Sequence, residues 1–423
     1  WYINAIALNE LGEPKAKVLE TVEKALDCGD WVDYNKDGAR ILYADILSDT
    51  LNPQKAIEIL DEQPVLFSAD AEYIRTKSYY RLKDEASVEK ARLKVDTARK
   101  MYPDDTRFPL LFYKNESQDD ETPAVRKIAE NLIAKQSLYA ESKSADRLDL
   151  EIYSALFARG EQQVRMLKSF AARNLEHPLY AVAALNAGLM NQDTAFDYFT
   201  SFSDGSIDYV KLMQFVKACT DENVKNLLKI YLNSYGGILF YDTDGDGINN
   251  MYVKYYRGRP ETISYDKNQD GIAEWRIVCD FGVPVNIIIN EQKLSLSWTS
   301  FPYLSQAMYK NDSGERTLSF QLVDETLSWS PVSIDTDETV AECLNLKFYT
   351  PHLAENAAVL NTDEFAKAAF RYEIPSHERK NSSIKFTILD GEVQLARYYE
   401  QDKLYAQAQF ENGVPTVRTV DVG

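Results

Sequence analysis

The chain has 423 residues, 45% hydrophobic and 12% aromatic, too apolar for general disorder and too long for a single ordinary core. Its formal net charge of −19 excludes nucleic acid and anionic membrane surfaces as electrostatic partners, because both would repel it. No apolar run approaches the roughly 20 residues of a membrane span, so no transmembrane segment is expected in this sequence.

The opening Trp1-Tyr2-Ile3-Asn4-Ala5 has neither an initiator Met nor a signal sequence, and a removed signal or lipid anchor would be invisible in this sequence, which leaves lipid anchoring open. From Trp1 to about Tyr235 the text reads as consecutive helical hairpins. Ala39 to Leu47 carries an apolar stripe at helical period, and Pro53 sits where the first turn of the next helix, 54–60, tolerates it. Helices are expected at 71–82 and 86–102, with Pro103 as the stop, then at 123–139, 145–158, 161–175, 178–190, 193–202, 206–218 and 221–235. The pairs recur at roughly thirty to forty residues, the spacing of helical repeats. In Ala39 to Leu60 and Ala71 to Pro103, with small residues such as Ala44, Ala56, Ala91 and Ala98 where helices approach closely, the chain resembles the tetratricopeptide repeat family. That resemblance implies an α-solenoid with one concave groove for a peptide or another protein. Tyr79, Tyr80, Tyr139 and Tyr153 are candidates to line it, although aromatic residues at helical spacing are more often core.

Near Gly236-Gly237 the hydrophobic period changes from helix to strand. The expected architecture is α+β and multidomain: a helical repeat domain over 1–235, then a mainly antiparallel β-hairpin repeat domain over 236–423. Within it one acidic pattern is written twice, at 241–250 and 265–274, in a register of 24 residues from Tyr241 to Tyr265. The register persists beyond the acids: Met251 matches Trp275, Val253 matches Ile277, Gly258 matches Gly282 and Pro260 matches Pro284.

Calcium takes six to eight oxygen ligands, so a short loop must turn sharply while aiming many oxygens inward. In the first loop Asp242, Asp244 and Asp246 supply carboxylates, Gly247 permits the turn, Ile248 offers its carbonyl, and Asn250 closes the shell directly or through water. In the second, Asp266, Asn268, Asp270, the Ile272 carbonyl and Glu274 take those places after Gly271. These runs resemble the DxDxDG calcium loops of extracellular and bacterial surface proteins, relatives of the EF-hand. Val253 and Ile277 stand where an EF-hand needs its bidentate glutamate, so strands rather than helices are expected on the flanks. Two calcium ions are expected; the alternative is a pair of Asp/Gly-rich turns without metal.

Trp275, Ile277, Cys279 and Phe281 alternate with Arg276, Val278 and Asp280, which assigns the apolar set to one sheet face, as Met251, Val253 and Tyr255 do in the first repeat. Further strands are expected at 293–298, 316–322, 344–349 and 384–389, and a short helix at 362–370. Leu404, Ala406, Ala408 and Phe410 alternate again before Asn412-Gly413-Val414-Pro415, a Gly-x-Pro turn that resembles the hairpin repeats of bacterial surface and wall-associated proteins.

Catalytic signals are sparse. The three histidines, His177, His352 and His377, have no partner at zinc spacing, and His177 is expected at the surface of an inter-helix turn. No nucleophile elbow, phosphate-binding glycine loop or metalloprotease helix is present. The scattered Cys28, Cys219, Cys279 and Cys343 form no C-x-x-C motif and leave pairing open against buried free thiols. Calcium loops of this kind bind at roughly 10⁻⁴ to 10⁻³ M, which suits an extracytoplasmic setting, the periplasm or cell surface. The expected function is a non-catalytic calcium-binding interaction or scaffold protein of a bacterial cell envelope. Two rivals are a carbohydrate-binding surface protein, motivated by Tyr252, Tyr255, Tyr256, Trp275, Trp298 and Trp329 as a platform for cell-wall glycan, and a cell-wall enzyme with a helical accessory domain.

Overall fold

The computed structural model describes the chain apart from residues 29–30, 32–34, 117–121, 136–145, 204, 291–292, 302, 312–313, 323–331, 334–351, 354–381, 390–391, 401–402, 412–413 and 421–423. The expected strand at 344–349 and the helix at 362–370 lie outside the described residues, as do Tyr139 and Trp329. A helical N-terminal part is followed by a mainly antiparallel sheet region, an α+β multidomain layout.

Among the described residues the helices are α1 (Tyr2–Glu10), α2 (Lys15–Asp27), α3 (Lys36–Asp49), α4 (Pro53–Asp61), α5 (Ala69–Leu82), α6 (Glu85–Met101), α7 (Arg107–Asn115), α8 (Pro123–Ala134), α9 (Arg147–Phe157), α10 (Gly160–Ala172), α11 (Leu179–Asn186), α12 (Gln192–Thr200), α13 (Tyr209–Ala218) and α14 (Glu222–Ser234). Their starts follow capping chemistry: Ser68, Asp84, Thr122, Asn191 and Asp208 each accept from a backbone N–H of the first turn. Ser206, expected to open a helix, instead begins a three-residue strand, β1 (Ser206–Asp208), and the helix starts after its Asp208 cap. Helix α7 had no separate sequence signal; its Phe108, Leu110, Phe112 and Tyr113 are buried.

From α1 to α7 and from α8 to α12 each helix packs on the next, and the odd-numbered series α3, α5, α7, α9, α11 and α13 also packs in succession, the pattern of stacked helical hairpins. Two buried clusters fill the first half of the stack, one around Val22, Tyr43, Leu47, Leu60 and Ile74, the other around Tyr80, Phe112, Leu132, Leu150 and Phe157. Tyr80 is core, and Tyr79 and Tyr153 pack half-buried against its cluster, so these three of the tyrosines considered for the groove are engaged in packing. Two buried arginines join successive hairpins. Arg40 donates to the carbonyls of Ile59, Glu62 and Pro64, and Arg75 donates to those of Leu60 and Leu66 and pairs with Asp61 and Glu72.

The strands continue as β2 (Ile238–Tyr241), β3 (Met251–Tyr256), β4 (Arg259–Tyr265), β5 (Trp275–Asp280), β6 (Val283–Ile289), β7 (Leu294–Ser300), β8 (Tyr303–Asn311), β9 (Gly314–Leu322), β10 (Val332–Ser333), β11 (His352–Leu353), β12 (Ser382–Leu389), β13 (Glu392–Glu400), β14 (Lys403–Glu411) and β15 (Val414–Val420). From β4 to β9, and again from β12 to β15, neighbours in sequence pair antiparallel, whereas β12 joins β9 in parallel. β10 and β11 form a separate antiparallel pair. Trp275, Ile277 and Cys279 are buried as their alternation requires, but Phe281, expected on that face, is 51% exposed. The reason is the turn: Phe281 and Gly282 both have positive φ, 48° and 89°, as do Arg257 and Gly258, 49° and 72°, which is the two-residue geometry that tight hairpins favour. Cys28, Cys219 and Cys279 are free thiols, and burial pushes Cys219 up to about 11 and Cys279 up to about 12.

Compactness groups the chain differently from the change of period at 235/236. One unit comprises Trp1–Lys229 with Leu239–Met251 and Asp266–Ile272; the other comprises Ile230–Ile238, Tyr252–Tyr265 and Ala273–Gly423. Both acidic loops therefore pack with the helices.

Candidate metal centre

The first loop, between β2 and β3, is closed at its base by Asn250 N–H donating to the Tyr241 carbonyl at 2.9 Å. Within it the Asp242 carboxylate accepts from the N–H groups of Gly245 (2.6 Å), Asp246 (3.1 Å) and Gly247 (2.7 Å). Asp244 accepts from Asp246 N–H at 3.1 Å, and Asp246 accepts from Ile248 N–H at 2.8 Å. The second loop repeats this wiring. Asp266 accepts from Asp270 and Gly271, Asn268 accepts from Asp270, and Asp270 accepts from Ile272, all between 2.8 and 3.1 Å. The turn positions agree too: Gly247 has φ 89° and Gly271 φ 87°, while Gly245 at 72° is matched by Gln269 at 58°.

Asp242, Asp244 and Asp246 each bring one carboxylate oxygen within 4.8 Å of the others, and such a triad could hold a metal ion. Burial and the adjoining Asp242 carboxyl push Asp244 up from its usual range, with Lys83 opposing them.

The loops also meet each other. Asp266 N–H donates to the Asn250 carbonyl at 2.8 Å, and the Gln269 side chain donates through Nε2 to Asp246 Oδ2 at 3.0 Å. Gln269 is only 4% exposed, and its Oε1 has no hydrogen-bond partner. Asn250 is 1% exposed; its Oδ1 accepts from Thr243 N–H, and its Nδ2 is unpartnered. A buried amide oxygen lacking a donor beside a carboxylate is the donor chemistry a hard cation uses, so the residues present fit an oxygen-seeking divalent metal.

Of the ten residues expected as ligands, Asp242, Asp244, Asp246, Ile248 and Asn250 come together in the first loop, and Asp266, Asn268, Asp270 and Ile272 in the second. Ile272 is exposed. Glu274 belongs to the sheet-containing unit, where its backbone carbonyl accepts from Asn290 N–H at 2.8 Å. Sequence reasoning missed Gln269, for which the only signal was a non-glycine at a turn position held by glycine in the other loop. It also missed the helical groups that meet the loops. Lys83, itself at φ 60° after α5, reaches the Asp244 carbonyl and lies 3.9 Å from its carboxylate; Arg81 lies 3.9 Å from Asp246; and Ala16 N–H donates to the Asp270 carbonyl at 3.1 Å.

Other candidate sites resolve into structure. His177, expected at the surface, is 6% exposed: its Nε2 bonds Asp149 at 2.9 Å, and its Nδ1 accepts from Leu179 N–H, capping α11. Both ring nitrogens are thus engaged. Tyr255, Trp275 and Trp298 are buried, which leaves Tyr252 and Tyr256 as the exposed members, among the described residues, of the aromatic set considered for sugar binding.

No family model matches the chain, and no solved structure matches it. An uncharacterized protein of Treponema pallidum (strain Nichols) is 25% identical over an alignment of 367 residues that covers 71% of this chain and 45% of that relative. The chain therefore spans less than half the length of the curated relative it matches.

Proposed function

We propose that this is a non-catalytic calcium-binding interaction protein of a bacterial cell envelope, in which two calcium ions stiffen the paired DxDxDG loops and the helical repeats carry the partner surface. The observation that carries the reading is the duplicated wiring: two loops 24 residues apart make the same four side-chain-to-backbone contacts, from Asp242 and Asp266 to Gly247 and Gly271 and also to Asp246 and Asp270, from Asp244 and Asn268 to Asp246 and Asp270, and from Asp246 and Asp270 to Ile248 and Ile272. A turn needing no ion has little reason to gather three carboxylates within 4.8 Å, where their repulsion opposes folding. Calcium is favoured over magnesium because the loops offer many carboxylate, amide and backbone oxygens, whereas magnesium keeps several waters in a strict octahedron. Ca²⁺ is the resident ion in this reading, structural rather than catalytic.

The helical unit supports a tetratricopeptide-like solenoid through its alternating helix contacts, and its cleft between α8, α9 and α10 suits a peptide. That cleft has a volume of about 570 Å³ and is lined by Ile133, Ile152, Met166 and Phe170 with Arg165 and Arg173 at its edge. The extracytoplasmic setting follows from the millimolar-range affinity expected of calcium loops of this kind. Isothermal titration of calcium into chelator-stripped protein tests the metal reading: two sites are expected, one lost in Asp242→Ala and the other in Asp266→Ala. Absence of calcium heat in the wild type at millimolar concentrations would reject it.

A further inference from the structure

Within the helical unit the two loops belong to a closed circuit of contacts. Starting at the first loop, Asp246 faces Arg81 at the end of α5, and Arg81 reaches Asp49 at the end of α3 at 3.3 Å. Asp49 also pairs with Lys15 at 3.2 Å, in the first turn of α2, where the next residue, Ala16, donates its N–H to Asp270 of the second loop. Gly271 presses on the same turn, since a Cβ there would lie 3.1 Å from Pro14 Cα. The second loop then returns to the first through Gln269 and Asp246. The side chains of Asp246 and Arg81 are 2% and 6% exposed, so the junction is shielded from screening by solvent.

We propose that the two loops act as one cooperative calcium clasp, coupled through Gln269, that fastens the ends of α2, α3 and α5. The inference rests on the calcium reading of the loops. An ion in the first loop fixes the Asp246 carboxylate, the acceptor of the Gln269 amide. Gln269 is the residue after Asn268 and before Asp270, so ordering its side chain orders the ligands of the second loop, and the reverse holds by linkage. The orphaned Gln269 Oε1 supplies the means: inserted beside Asp246 and without a donor, it is available to an ion in the first loop while its backbone stays in the second. Gly245 occupies the matching position in the first loop, where no side chain crosses over, so the coupling is built from one direction. Calcium is then felt at helix ends that precede the loops by some 160 to 250 residues in sequence, such as Lys83 against Asp244 and Ala16 against Asp270.

The test pairs calcium titration with hydrogen exchange on the full chain. Asp266→Ala is expected to weaken calcium binding to the first loop by roughly 5-fold or more, and Asp242→Ala to weaken the second loop by the same factor. Gln269→Ala keeps every carboxylate and is expected to reduce that mutual effect to less than 2-fold, so the coupling can be read even where an Asp variant folds poorly. In the wild type, calcium is expected to slow exchange at residues 15–18, 46–51 and 80–84, but not in α10 or α13. Two calcium ions binding independently, with unchanged exchange at the helix ends, would overturn the clasp while leaving the calcium reading intact. No calcium binding at all would overturn both.

Discussion

Gln269 and Asp246 lie in different loops, yet the amide of one donates to the carboxylate of the other at 3.0 Å in the protein interior. The contact makes two sequence repeats into one object, because neither loop can move its central turn without disturbing the other. It also explains why a glutamine occupies a left-handed position that the first loop gives to glycine: the side chain is needed across the gap. The strain of such a position is about 1 kcal/mol, comparable to a single buried hydrogen bond.

Two glycines with the same backbone angle separate turn geometry from helix contact. Gly247 at φ 89° has open space where a Cβ would go, whereas Gly271 at φ 87° faces Pro14. Gly247→Ala is expected to cost about 1 kcal/mol from strain alone, and Gly271→Ala about 2 to 3 kcal/mol, because the first turn of α2 must also shift. Urea unfolding of the two variants without calcium measures the difference. Equal destabilisation would mean that the loop does not rest on α2.

Calcium should raise thermal stability, since an ion bound to the folded loops is not bound by the unfolded chain. At free calcium one hundred times the dissociation constant each site adds about 2.7 kcal/mol, and chelator should reverse it. Scanning calorimetry over a calcium series checks this, with magnesium at equal concentration expected to give a much smaller rise.

Arg75 is 3% exposed and holds two carbonyls and two carboxylates around the α4 to α5 junction. Replacing it with Leu strands the Leu60 and Leu66 carbonyls in a buried place. A loss of about 3 kcal/mol is expected, larger than for a surface ion pair such as Lys24 with Glu20. Chemical denaturation of Arg75→Leu beside Lys24→Ala makes the comparison.

The hydrogen bond from His177, joined by Lys114 at 2.8 Å and opposed by burial, holds the Asp149 carboxyl well below the usual carboxylate range. A carboxyl whose folded value is depressed stabilises the fold above its unfolded value near 4, and the contribution fades as pH falls from there toward the folded value. Asp149→Asn should therefore cost about 1 to 2 kcal/mol at pH 7 and progressively less below about pH 4. Denaturant midpoints for both proteins across pH 2.5 to 7 give the result, and a gap independent of pH would contradict it.

Much of this was legible in the residues because it is local. The helix-to-strand change near Gly236, the period of 24 in the loops, and the burial of Met251, Val253, Tyr255, Trp275 and Ile277 all follow from short-range pattern and two-fold alternation. What escaped is long-range. Nothing near Lys83 in sequence points to Asp244, nor near Ala16 to Asp270, so packing of the loops with the helices had no sequence signature. His177 reads as a surface residue because a proline turn usually means exposure, yet it is buried because a neighbouring carboxylate satisfies it; the burial of Arg40 and Arg75 against carbonyls at helix ends had no sequence signal at all. Phe281 followed the alternation of its strand one position too far, into a turn whose φ of 48° breaks the pleat.

The central claim is that an oxygen-seeking divalent ion sits in each loop. Crystals grown in millimolar calcium test it most directly. Density for an ion is predicted within the turn of each loop, ringed by six to eight oxygens at about 2.3 to 2.6 Å that include Asp242, Asp244, Asp246 and the Ile248 carbonyl in the first and Asp266, Asn268, Asp270 and the Ile272 carbonyl in the second. Well-ordered loops with their carboxylates turned outward and no ion between them would contradict the account.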